Sequence, residues 1–89
     1  MRFDAIPRFA AGVRFRFDDR RAAWIVLAPE RILVPDQIGA AVLREIDGAS
    51  SVDFIVDRLH AAFDAPRDLI ASEVNALLDD LVAKGVLGS

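Results

Sequence analysis

One short run, Arg31-Ile32-Leu33-Val34, limits what this chain can fold into more than any other stretch, because Pro29 precedes it and Pro35 closes it. Proline has no N–H to give a ladder, so Pro35 ends the strand, and the run reads as the third and last strand of a small antiparallel sheet. The outward N–H and C=O groups of a last strand have no partner, and an unpaired edge is a template for one strand more. Arg31 to Val34 is therefore a candidate peptide-docking edge.

The stretch upstream supplies the other strands. Val13-Arg14-Phe15-Arg16-Phe17 alternates strictly, which places Val13, Phe15 and Phe17 on one face and the two arginines on the other. Asp18 to Arg21 is polar and of hairpin length, so the next strand returns beside the first. That strand, Ala22 to Leu27, is apolar on both faces, as a central strand would be. Residues 1–12, with Pro7 and Gly12 among scattered Phe3, Ile6 and Phe9, read as an extended N-terminal arm, and 13–89 as a single domain.

Three helices are expected after the sheet. The first runs from Gln37 to Asp47, capped by Asp36 and ended by Gly48, with Ile38, Ala41, Val42 and Ile46 inward. The second is capped by Ser51, or by Ser50 with Asp53 in capping-box spacing, and buries Val52, Ile55, Val56, Leu59 and Phe63. Asp64-Ala65-Pro66 breaks it. The third, Arg67 to Lys84, carries Ile70, Val74, Leu77, Leu78, Leu81 and Val82 on a wide stripe and stops at Gly85. Three strands followed by three helices is an α+β domain of winged helix-turn-helix type.

Composition narrows the function classes. A chain of 89 residues holds one core and buries roughly 60 to 65 % of its unfolded surface, yet it is 54 % hydrophobic with a mean hydropathy of +0.32. The excess predicts an apolar interface. Without cysteine there is no disulfide or thiolate site. No signal peptide or membrane-length apolar run is present, so a cytoplasmic protein with no membrane partner is expected. The net charge of −3 is divided unevenly, +3 over residues 1–35 and −6 over 36–89.

That division bears on nucleic acid, since a recognition helix needs cations for the phosphates. Here the second and third helices are acidic and the arginines lie on the sheet side. No nucleic-acid partner is expected, and a winged-helix DNA-binding regulator is the alternative that this charge disfavours. Catalysis fares no better. The one histidine, His60, lies off the apolar stripe with no second ligand nearby, and neither Asp18–Asp19 nor Asp79–Asp80 has apolar surroundings that would raise a pKa. We expect no catalytic residue, metal or cofactor. For the third helix the core reading dominates at Val74 and Leu81, while the margin at Ala71, Asn75, Leu78 and Val82 is a candidate groove wall beside Arg31, Ile32, Leu33 and Val34. Trp24 reads as core, with an interface role as its alternative.

Several pieces together resemble the pyrroloquinoline quinone biosynthesis protein D family over nearly the whole length. They are Pro7-Arg8, Gly12-Val13-Arg14, Leu27-Ala28-Pro29-Glu30-Arg31, Asp47-Gly48 before a Ser-Val helix start, Glu73-Val74, Leu77-Leu78, Leu81 and Gly85-Val86-Leu87. At Ser51-Val52-Asp53-Phe54 the family's Thr-Val-x-Glu box is broken by Phe54, which concerns helix stability more than function. The resemblance implies a non-enzymatic peptide chaperone, a RiPP recognition element. It would bind the leader of a PqqA-like precursor peptide as a strand added to the third strand and lying against the third helix. It would present that peptide to a PqqE-like radical S-adenosylmethionine enzyme that cross-links a glutamate and a tyrosine. A subunit-interface module would use the same apolar surface, and an open edge can also pair with a second copy as a homodimer.

Overall fold

The computed structural model describes residues 1–88, so Ser89, the last residue of the expected domain, lies outside the described residues. A three-stranded antiparallel sheet of β2 (Arg14–Asp18), β3 (Ala23–Ala28) and β4 (Arg31–Leu33) is followed by α1 (Gln37–Leu43), α2 (Val52–Ala62) and α3 (Arg67–Ala83). This is the expected α+β order. Two further strands, β1 (Arg8–Phe9) and β5 (Leu87–Gly88), pair antiparallel as a separate ribbon.

The ribbon changes the picture of residues 1–12. Phe9 lies opposite Leu87, and Ala10 N–H donates to the Val86 carbonyl at 2.9 Å. Upstream, the carbonyls of Phe3 and Ala5 accept from the first N–H groups of α2, those of Asp53 and Val52, each at 2.9 Å. A helix N-terminus has N–H groups with no partner inside the helix, and here the N-terminal segment satisfies two of them. Met1, whose ammonium group also pairs with Asp79, packs against the core.

In the main sheet β3 is central, with Phe15 opposite Val26 and Val26 opposite Leu33. Directly opposed residues share a face, so this row looks inward, and all three belong to or pack on the core. Arg14, Leu27 and Ile32 form a row on the other face. Phe17 lies on the inner face opposite Trp24, as alternation requires, yet is 44 % exposed. Trp24 is half-buried rather than fully enclosed. It stacks on Phe15 at 4.9 Å between ring centroids, and the Arg44 guanidinium covers it at 5.1 Å.

Helix limits follow local chemistry. Asp36 Oδ1 accepts from Gly39 N–H at 2.7 Å and caps α1. Ser51 Oγ accepts from Phe54 N–H at 3.1 Å and caps α2, while Ser50 is bound to Asp47 instead. At the end of α3, Gly85 takes φ +77°, its N–H donates to the Val82 carbonyl and Val86 N–H to the Leu81 carbonyl. That is a Schellman motif, which needs a left-handed residue at the glycine position.

Two packing expectations are corrected. Helix α1 ends at Leu43, not Asp47, and continues as tighter turns in which Glu45 N–H donates to Val42 and Ile46 N–H to Leu43. Its inward face is also shifted: Val42 and Ile46 are buried as expected, Gly39, Ala40 and Leu43 are buried beside them, and Ile38 is 57 % exposed. Small residues at 39 and 40 allow close approach, since a Cβ on Gly39 would already lie 3.2 Å from Pro35 Cβ. Phe63, expected inside α2, is the C-cap residue and stands out at the α2–α3 corner.

The core itself is the inner row of the sheet closed by Val42, Leu43 and Ile46, by Val52, Ile55, Val56 and Leu59, and by the inward stripe of α3. Among the described residues, no helix is long and apolar enough to cross a membrane.

A candidate peptide-docking edge and its neighbouring cavity

The free edge begins with the turn that precedes it. Glu30 adopts φ +67°, which reverses the chain between β3 and β4 and returns Arg31 opposite Ala28. Strand β4 pairs only with β3 among the described residues, so its outward backbone groups face away from the sheet. The side chains alternate: Leu33 points into the core, and Ile32 and Val34 stand 52 % and 56 % exposed. The opposite edge, β2, carries exposed Arg14 and Arg16, and charge is the usual means of blunting an edge. Of the two edges, β4 is the less charged, with Arg31 as its one charged residue.

The α3 residues expected to line a groove separate into two groups. Leu78 is fully buried and Ala71 is 8 % exposed, so both are core. Asn75 and Val82 share a flank with Asp79, at spacings of four and three residues, which is the side where Met1 lies. Asn75 Oδ1 is buried and accepts no hydrogen bond from the described residues. The opposite flank carries Glu73 and Leu77, and it is Leu77 that approaches the Pro35–Gly39 segment following β4. The structure therefore brings the segment that follows β4, at Asp36 to Gly39, together with the Leu77 side of α3. It sets Asn75 and Val82 elsewhere.

Between that flank, the start of α1 and the α2–α3 corner lies a cavity of about 260 Å³. Its walls are apolar, from Ile38, Val42, Leu59, Phe63, Ile70 and Leu77, and Asp36 and Glu73 stand in the lining. The stripe of α3 was legible in the sequence, but the cavity needed Ile38 and Phe63 to face outward, against the expected pattern. Nothing in the chain marks those two as exposed.

Electrostatics elsewhere in the chain are structural. Arg21 donates to Asp18 at 2.7 Å and holds its carboxyl below the ordinary value of 3.8. Asp47 is likewise lowered because it accepts from the N–H groups of Ala49 and Ser50, at 2.9 and 2.8 Å, and from the Ser50 hydroxyl. Asp57 and Asp53 hold the Arg67 guanidinium between them and raise its pKa. Among the described residues no group of three His, Cys, Asp or Glu is placed to hold a metal ion.

Comparison with known proteins places the chain in a family. A curated "PqqA binding protein" of Rhodopseudomonas palustris (strain BisB5) is 46 % identical over 83 residues, covering 93 % of this chain and 78 % of that protein. The solution structure of the PqqD truncation of Methylobacterium extorquens PqqCD, described as a functional and stand-alone RiPP recognition element, matches with a TM-score of 0.83 at 35 % identity. That match covers 99 % of this chain and 94 % of the other. A lasso peptide synthetase B1 complexed with its leader peptide has the same fold at a TM-score of 0.81 and 14 % identity, covering 96 % of this chain and 100 % of that one. The family model for Coenzyme PQQ synthesis protein D (PqqD) matches residues 23–87, from the central strand to the ribbon, and the chain belongs to that family.

Proposed function

We propose that this protein is a non-catalytic, cytoplasmic peptide chaperone that binds the leader of a PqqA-type precursor by strand addition to Arg31–Val34. It then presents the precursor to a radical S-adenosylmethionine enzyme. The observation that carries the reading is the β4 edge: uncharged side chains at Ile32 and Val34 stand exposed beside backbone groups that no strand among the described residues pairs. Relatives named for binding PqqA support the identity of the peptide. Main-chain hydrogen bonds would supply affinity and side-chain pockets specificity, and tethering raises the peptide's effective concentration at the enzyme.

The test is a titration of isotope-labelled protein with a synthetic PqqA-type precursor, following backbone amide shifts. Shifts on Arg31 to Val34 and on the Glu73–Leu77 flank are expected. A bound peptide that leaves those amides unmoved would refute strand addition. Concentration-dependent shifts at Arg31–Val34 without peptide would instead mark the edge as a contact between two copies.

A further inference from the structure

The cavity at the start of α1 has a chemical bias. Its walls are apolar, while Asp36 and Glu73 add two carboxylates that form no ion pair among the described residues. Asp36 spends Oδ1 on the α1 cap, which leaves Oδ2 available. The four cations of residues 36–89 are engaged elsewhere: Arg58 with Glu45, Arg67 with Asp57 and Asp53, Lys84 with Asp80, and Arg44 over Trp24. The carboxylates thus face an apolar space with no internal counter-ion.

Strand β4 leads the chain directly to this cavity, through Val34 and Pro35 to Asp36. Every strand pair in the fold is antiparallel. A peptide added in the same sense runs away from the cavity along β4, so the residues upstream of its paired segment are those that reach it. Asp36 lies three residues on from Leu33 in the chain, a span of at most about 10 Å at about 3.3 Å per extended residue, so about three peptide residues suffice to cover it.

Resting on the strand-addition reading, we propose that this cavity takes a bulky apolar side chain of the peptide, with a lysine or arginine within two residues of it paired to Glu73 and Asp36. The anchor lies immediately upstream of the segment that pairs with β4. The apolar group fills the space between Ile38, Phe63 and Leu77, and the cation supplies the missing counter-charge at its rim. Specificity follows, because a peptide with an acidic residue at that place would bring like charges together.

The experiment measures the affinity of a PqqA-type precursor for the full chain and two variants, with amide shifts recorded in parallel. Leu77→Trp fills the cavity and is expected to weaken binding at least tenfold while saturating peptide still shifts Arg31–Val34. Glu73→Lys, an exposed change that leaves the fold intact, is expected to weaken binding several-fold. Reversing the charge of the upstream cation in the peptide should weaken binding to the native chain and restore it to Glu73→Lys. Unchanged affinity in Glu73→Lys, with Arg31–Val34 still shifting, would overturn the inference and leave strand addition standing. Absence of shifts in the native chain would remove both.

Discussion

Leu78→Ala separates a core residue from a contact residue. The side chain is fully enclosed in the core cluster that α2 and α3 share, so truncation removes buried methyl groups and leaves a hole that helices anchored at both ends cannot close. Comparable leucine truncations cost about 2–5 kcal/mol. A chain of 89 residues is stable by about 4–13 kcal/mol, so the change removes a large share of the total. At about 4–8 °C per kcal/mol for a domain of this size, even a 2 kcal/mol loss lowers Tm by about 8–16 °C. Urea denaturation should show a lower midpoint with an unchanged slope, and Leu78→Val, which loses one methylene, should cost about 1 kcal/mol. Peptide affinity, measured well below the lowered Tm, should match the native chain. A variant that keeps its midpoint but loses affinity would refute the placement of Leu78 in the core and restore it to the groove.

Other outcomes follow from the edge and the turns. Ile32→Lys with Val34→Lys places charge on the open edge, and should alter stability by less than about 1 kcal/mol because both side chains are exposed, while a binding titration shows the peptide affinity strongly reduced. Gly85→Ala should cost about 1 kcal/mol in urea denaturation, since a Cβ there meets no atom within 4 Å and only the left-handed backbone at φ +77° resists it. The Asp18 and Asp47 carboxyls are held below 3.8 when folded. Their contribution is present above that value and is lost as the pH falls through the lowered folded values. In thermal melts, Asp47→Asn should therefore sit below the native chain near about pH 7 and converge with it in acid.

What the sequence by itself determined was whatever depends on neighbours a few residues apart. Asp36 and Ser51 cap their helices because a short polar side chain can reach an N–H three residues on. Gly85 ends α3 because only glycine takes a left-handed backbone freely, and Pro29 and Pro35 bound the edge strand because proline offers no ladder donor. The arrangement of three strands before three helices follows from such signals and from periodicity.

Tertiary structure alone decided which side of each helix meets which neighbour. Periodicity defines a stripe on α3, but not that Leu77 turns toward Gly39 at the start of α1 while Asn75 and Val82 lie on the flank of Asp79, which pairs with Met1. For α1 the apolar pattern favoured Ile38, yet the small residues Gly39 and Ala40 are buried, because close approach to the Pro35 segment is worth more there than a larger side chain. The pairing of Phe9 with Leu87 joins residues at opposite ends of the chain. No local pattern encodes such a contact, since it exists only once the helices between have packed.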